Sequence, residues 1–468
     1  MFSLQECCMT TSFTLSRTQL IRLQSGICLA SFLGCLDFTI VNTALPALQR
    51  YFSRDVVAMQ WSMTLFVMAL CCCMVMSARL AERFGAKHVL FGGMLLFGVA
   101  SLGAGLAVNL TVMNFCRLLQ GTGCAVLYTV SASILVSVMP SAGRGRALGM
   151  LFAANGLGLA LGPIAGGILV SWLGWRSVFL INVPLMLVSF ICCMGAIPTS
   201  SRNVQVRLDI SGWLMMNAGL IPLLIWASQV ARWGLLSVNS LLLLMLSLLF
   251  LRVFLTAEKR TIQPLIDLRM LRNKDFAAAC MLSVLLAIFY CSAFMLIPLR
   301  LVAVFQPSDA RIGLMLLPVT LVMAVVSPIA GHAADRFTPW PVMAAGFIAL
   351  SLSALLQSFG NIPITTVFAA FILMGAGWGA ILGPSVNAAL GALPASMHAQ
   401  GIGISWTLHN LGGALGLAIA AQIYQAGGAE GGFQRVMIGL AAGSLLAVVV
   451  ALRAAKRAST KRLAQSDD

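Results

Sequence analysis

Apolar runs of about twenty residues recur fourteen times along the chain, near 26–48, 60–78, 88–108, 113–137, 147–170, 177–197, 210–230, 236–255, 276–299, 310–331, 341–359, 363–388, 400–424 and 433–452. A run of that length crosses the hydrocarbon core of a bilayer as a helix. Water is absent at that depth, so every backbone amide must be satisfied within its own segment, and a bundle of helices is what such runs can build. Gly and Pro interrupt several runs, which neighbouring helices accommodate. With 60% hydrophobic residues, 9% charged and a mean hydropathy of +0.97, the composition excludes a soluble globular domain. The fold class is therefore an all-α polytopic membrane protein.

The formal charge of +16 does not mark a nucleic-acid binder, because Lys and Arg sit in short connections and the tail without forming a continuous basic face. Assigned alternately to the two ends of the bundle, twenty-one bases fall at one end, from Arg17 and Arg79 to Arg453 and Arg462. Seven fall at the other: Arg50, Arg54, Arg176, Arg232, Arg300, Arg311 and Arg435. By the positive-inside rule the basic end, with both termini, is expected on the cytoplasmic side. The first two dozen residues lack a charged start, apolar core and cleavage site in that order, so no removable leader is expected. Thirteen cysteines, mostly in apolar runs, read as small hydrophobes rather than a disulfide or zinc framework.

Twelve of the thirteen acids fall in connections or tails, and Asp37, in LDFTIVNTALP, alone lies within a run. An acid there is costly, so it reads either as a functional group or as a buried, hydrogen-bonded structural acid. Ala30, Gly34, Val41 and Ala44 give its side of the helix a small surface suited to close packing or a cavity. Thr39, Asn42, Thr43 and Pro46 lie roughly opposite, so both sides are expected to be enclosed by other helices. Arg117 is the one base assigned to neither end, and Gln120, Gly121, Cys124 and Tyr128 extend it into a polar stripe at helical spacing. An unpaired guanidinium at that depth is prohibitive, and Asp37 is the acidic partner within the spans; ties to backbone carbonyls are the structural alternative. With the cation close, the carboxyl stays ionised; with the pair parted, the apolar surroundings favour its protonated form. Such a swing can couple proton uptake to a change of shape.

The chain also echoes itself. Leu80-Ala81-Glu82-Arg83-Phe84 after the second run matches Ala333-Ala334-Asp335-Arg336-Phe337 after the tenth. Six runs lead into each half, which leaves the seventh and eighth as an inserted pair. The implied organisation is a basic-side segment 1–25, a six-helix bundle 26–200, the pair 201–260, a second bundle 261–452 and a basic tail 453–468. Repeats of this kind build alternating-access transporters with the substrate between the halves.

LDFTIVNTALP, LAERFGAK, RLLQGTG from Arg117, GLALGPIAGG from Gly158 and WRSVFLINVP from Trp175 occur in one order that resembles the motif set of major facilitator superfamily drug:proton antiporters, in their fourteen-helix branch. The resemblance implies two six-helix bundles plus a helix pair, and a proton-coupling role for Arg117. It implies a gate loop at Glu82, Arg83, Gly85 and Lys87, echoed by Asp335 and Arg336. The family motif usually has Gly at Ala78 and Asp at Glu82, and the longer acid puts the usual capping of a facing helix in question. By spacing alone, Gly158, Gly162 and Gly166, with Pro163 and Gly167, mean a tight helix contact. The resemblance adds an exporter's seal between the halves.

Beyond Asp37 and Arg117, the candidates for lining a substrate cavity are Asn42, Gln120, Tyr128, Tyr290, His409 and Asn410. His409 titrates near neutral pH and can relay protons or simply pack. No phosphate-binding G-x-x-x-x-G-K-[ST] loop occurs, and His88, His332, His398 and His409 are too scattered for a metal site. No cofactor and no enzymatic chemistry are expected. The reading is an inner-membrane, proton-coupled exporter of small organic molecules, with lipid, substrate and protons as partners and any periplasmic adaptor left open. The alternatives are export of an endogenous metabolite, such as a siderophore or an amino acid, and a non-transporting membrane sensor.

Overall fold

A computed structural model describes residues 16–54, 56–139, 143–197, 205–305, 309–359, 363–394 and 397–466. Residues 1–15 of the expected N-terminal segment, Arg202 and the last two residues lie outside them. Among the described residues, fourteen helical stretches are long and apolar enough to cross a membrane. The helices are α1 (Arg17–Phe52), α2 (Val56–Phe84), α3 (Ala86–Gly105), α4 (Leu110–Val138), α5 (Arg144–Leu173), α6 (Arg176–Leu180), α7 (Asn182–Cys193), α8 (Ile210–Trp233), α9 (Val238–Glu258), α10 (Lys274–Phe305), α11 (Asp309–Phe337), α12 (Pro339–Ser358), α13 (Ile364–Gly391) and α14 (His398–Ser466).

The helices outrun the apolar runs at their polar ends. The first, expected from residue 26, starts at Arg17 because Ser16 and Gln19 form a reciprocal capping box there. The sixth span is α6 and α7 end to end; Pro184 removes the amide that would bond to the Leu180 carbonyl, and the helix breaks at Ile181. The last two spans are the arms of α14, which turns at Gly428 (φ 71°, ψ 177°), a conformation open to glycine.

Each half repeats one packing scheme. In the first, α1 packs on α5, α2 on α4 and α3 on α4; in the second, α10 packs on α14, α11 on α13 and α12 on α13. The inserted α8 and α9 pack on each other, and α8 leans on α2 and α14. Trp213 of α8 donates to the Cys72 carbonyl at 2.8 Å, so the pair is tied to the first half as well as to the second.

The halves meet near the basic end, where α5 packs on α11 and α13, and α2 and α4 on α14. Glycines allow the approach. A methyl at Gly145 would run into the Gly331 carbonyl, and one at Gly149 into that of Ser327. On the other side of the interface Ala78 stands where its counterpart is Gly331, and the facing residue is Gly403, whose added methyl would lie 3.2 Å from Ala78 Cβ. The departure from glycine at position 78 is thus met by a glycine across the interface.

Candidate functional site

The first half encloses an ion pair. Asp37, at mid-length of α1, and Arg117, one turn into the apolar part of α4, are 0% and 1% exposed, and Arg117 Nη1 donates directly to Asp37 Oδ2. The other carboxylate oxygen accepts from Asn182 Nδ2 at 2.8 Å and Gln120 Nε2 at 3.2 Å. Arg117 also donates to Gln120 Oε1 at 2.9 Å and through Nε to the Ser62 carbonyl of α2 at 3.3 Å. Ser101 of α3 accepts from Gln120 at 2.6 Å. Five helices thus supply one network in which both charges are paired and hydrogen-bonded, the condition for keeping ions inside a low-dielectric bundle. The guanidinium lies 4.3 Å above the Phe66 ring, which adds a cation–π contact.

Gln120, read from sequence as a cavity residue, is fully buried in this network, because one turn beyond Arg117 on α4 faces α1 and α3. Asn182 and Ser101 escaped the sequence reading. Asn182 was the more visible, an amide inside an otherwise apolar run; Ser101 looks like any helical serine. The Asn182 carbonyl oxygen is buried without a hydrogen-bond partner among the described residues.

A second cluster spans the two halves. Tyr128 stacks on Trp406 of α14 with ring centres 6.0 Å apart, and its hydroxyl lies 3.0 Å from Cys35 of α1. Trp406 also meets Phe152 and the edge of His409, at 5.9 and 5.1 Å. His409 Nδ1 lies 2.9 Å from both the hydroxyl and the carbonyl of Ser283, and Nε2 is 3.3 Å from the Tyr290 hydroxyl. Tyr290 in turn stacks on Trp378 at 4.3 Å. Asn410 donates to the Trp406 carbonyl at 2.8 Å and touches Met74 of α2. Tyr128, Tyr290, His409 and Asn410 therefore form one aromatic floor between the halves, whereas Asn42 takes no part in it.

Beyond this floor α1 becomes exposed toward the end opposite the basic one. Ser31 and Cys35 are buried on the α1 face that looks toward the second half. Three and seven residues past Cys35, the same face carries Phe38, 42% exposed, and the exposed Asn42. The expectation that both polar sides of α1 are enclosed holds for Thr39 and Thr43, whose hydroxyls bond back to α1 carbonyls under α5. It fails for Asn42 and Pro46, which are exposed. Phe66, buried against the Arg117 guanidinium, meets the exposed Phe38 with ring centres 6.5 Å apart.

The glycine stripe packs within the first half. Methyls at Gly158, Gly162 and Gly166 would strike Phe32, Thr39 and Thr43 of α1, while Gly167 has open space. The tight contact read from the spacing is present. It joins α5 to α1, and the contact of α5 with the second half belongs instead to Gly145, Gly149 and Gly156. Pro163 sits inside the same continuous helix.

At the basic end the two loop copies differ. Asp335 accepts from the backbone amides of Gly145 and Arg146 at 2.8 and 3.0 Å, so an acid of the second half caps the first turn of α5. Glu82, one methylene longer, is shared between Arg79 at 2.9 Å and the Gln400 backbone amide in the first turn of α14. Arg79 itself reaches the Pro264 carbonyl, and with the Gln400 amide oxygen turned toward it, Nε and Nη2 donate at 2.9 Å. Arg83 and Arg336 each lie over the following phenylalanine, Gly85 (φ 88°) turns the chain into α3, and Lys87 is half-buried.

The family model of the Major Facilitator Superfamily matches residues 27–293 and 278–468. The chain belongs to this superfamily. It is a multi-pass membrane transporter by family and fold, with fourteen spans. It is 29% identical over 419 residues to the multidrug resistance protein Stp of Mycobacterium tuberculosis (strain CDC 1551 / Oshkosh), covering 88% of this chain and 77% of that protein. It is 27% identical over 390 residues to the tetracenomycin C resistance and export protein of Streptomyces glaucescens, covering 82% and 72%. The crystal structure of the human organic anion transporter MFSD10 (TETRAN) superposes with a TM-score of 0.69 at 17% identity, covering 92% of this chain and 99% of that one, a likeness of fold.

Proposed function

We propose that this superfamily member exports small organic molecules across the cytoplasmic membrane in exchange for protons, with the basic end and both termini in the cytoplasm. The observation that carries the reading is the buried Asp37–Arg117 pair, with Phe66 against the guanidinium and the exposed Phe38 next to it. Breaking a buried pair by neutralising one partner costs about 3–5 kcal/mol, because the other charge stays behind. Swinging a two-state protein from 1:99 to 99:1 takes about 5.5 kcal/mol. A proton arriving at Asp37 from the open side therefore carries most of the energy needed to change the bundle's shape.

In this conformation Arg117 holds the Asp37 carboxyl, and on this reading the open side faces outward. Protonation leaves Arg117 with Gln120 and the Ser62 carbonyl alone, and the guanidinium must move or hydrate. Both outcomes alter how α4 and α2 sit against α1 and, through Tyr128, the floor at Trp406. Substrate binding to the aromatic floor and proton binding at Asp37 thus act on the same helices. The names of the relatives, resistance and export proteins, support outward transport, and the excess of Lys and Arg at the closed end supports the orientation.

Inverted vesicles with an imposed pH gradient, acid inside, test this. The wild type is expected to accumulate cationic dyes or planar aromatic antibiotics and to release protons as it does so. Asp37→Asn is expected to bind the same compounds without accumulating them. Accumulation by Asp37→Asn equal to wild type from pH 6 to pH 8 sinks the coupling role.

A further inference from the structure

At the basic end of the second half, a groove of about 340 Å³ runs between the start of α10 and the end of α14. Its lining divides by chemistry. Arg272, Lys274, Arg453 and Arg457 form one part, and Leu271, Ala277, Ala278, Met281 and Val450 form the other. The division follows depth. Lys274 opens α10 one residue before its apolar part, with Asp275 between, and Arg453 immediately follows the apolar run that ends at Leu452. The cations therefore lie at the level of lipid headgroups, and Met281, 41% exposed, continues the groove into the acyl region.

Charge is unbalanced there. Arg457 is held by Asp275 at 3.3 Å, whereas Arg272, Lys274 and Arg453 make no ion pair among the described residues. Three exposed cations without a protein counter-ion around one concave site favour an anion there. An apolar wall directly beneath them needs hydrocarbon. A free phosphate satisfies the first requirement and leaves the second unmet; a zwitterionic lipid satisfies the second and brings its own cation. Groups of basic side chains between helices on the positively charged membrane side take anionic headgroups for this reason.

We propose that this groove is a binding site for an anionic phospholipid, with Arg272, Lys274 and Arg453 holding the phosphate and one acyl chain lying along Ala277, Met281 and Val450. The site is separate from the ion pair and the aromatic floor, and its occupancy does not depend on what the protein transports or in which direction. Lipid bound there bridges the start of α10 and the 450–457 stretch of α14, two helices that pack on each other within the second half.

Native mass spectrometry of the detergent-purified protein, titrated with cardiolipin, phosphatidylglycerol, phosphatidylcholine or inorganic phosphate, tests the site. One anionic lipid is expected to be retained in preference to phosphatidylcholine. Each base near a membrane surface contributes about fivefold, so Arg272→Gln/Lys274→Gln/Arg453→Gln is expected to weaken anionic-lipid binding roughly 100-fold. Removing three bases elsewhere at the same end, Arg252→Gln/Lys259→Gln/Arg260→Gln, is expected to leave it unchanged. Should the triple variant fail to fold, Ala277→Trp fills the apolar wall with every charge in place and is expected to abolish lipid retention. Equal loss in both triple variants, retention of phosphatidylcholine as tight as that of the anionic lipids, or inorganic phosphate displacing the lipid at equal concentration would each overturn the proposal.

Discussion

Replacing Gly162 by alanine perturbs the contact that holds α1, and with it Asp37, against α5. The new methyl would press into the Thr39 hydroxyl, 2.8 Å from Thr39 Cβ and 3.0 Å from the Ile40 backbone nitrogen. Rotating Thr39 removes the hydroxyl from the way at the loss of its 3.3 Å bonds to the Cys35 and Leu36 carbonyls. The clash between the two Cβ atoms survives any rotamer, and carbon atoms pack at about 3.5–4.0 Å, so the helices must part by about 1 Å. Overpacking of this kind costs about 1–3 kcal/mol. The helix itself gains, since alanine is preferred over glycine by about 1 kcal/mol. Gly167→Ala, with open space around its methyl, has the gain without the clash. The two variants should therefore differ by about 2 kcal/mol, with Gly167→Ala at or above wild type. Thermal unfolding in detergent reads the difference. Thr39→Ala in the Gly162→Ala background should recover part of it by removing the hydroxyl. Equal midpoints for the two glycine variants would refute the α1–α5 packing as described.

Three further outcomes follow from the geometry. Asp335→Ala removes the acid that caps α5 from the other half, a contact worth about 1 kcal/mol, so the ratio of closed to open molecules at the basic end should fall about fivefold, read by spin-label distances between α5 and α11. In a cysteine-free background Asn42→Cys should react with a membrane-impermeant thiol reagent added from the side opposite the basic end, and Ser31→Cys should not. Thr338 holds φ 107°, which is strained for a β-branched residue, so Thr338→Gly should stabilise the protein by about 1 kcal/mol in a denaturation assay.

Much of this architecture was legible because membrane rules are strict. Fourteen apolar runs became fourteen spans, and the repeated Ala-Asp/Glu-Arg-Phe segment ends α2 and α11 at equivalent places. Asp37 and Arg117 found each other because Asp37 was the one acid within an apolar run and Arg117 the one base assigned to neither end, and buried charges need partners. Face assignments were less secure. Helical spacing put Gln120 on the same stripe as Tyr128, yet Gln120 is sealed at the ion pair while Tyr128, two turns on, reaches the other half. The periodicity gives the angle around α4 but not the depth at which the halves meet. Likewise the glycine spacing announced a tight contact without naming the partner, and Gly145 and Gly149, which touch α11, sit where the sequence shows only the start of a span. The role of Trp406 in closing the floor depends on Phe152 and Tyr128, which lie more than 250 residues away in sequence.

Whether Asp37 gains and loses a proton during transport can be seen directly by infrared difference spectroscopy of the purified protein. A carbonyl band of a protonated carboxylic acid is expected to appear as the pH is lowered, to diminish when transported substrate is added, and to be missing in Asp37→Asn. Active transport by a protein whose spectrum shows no Asp37-dependent band at any pH would contradict the account.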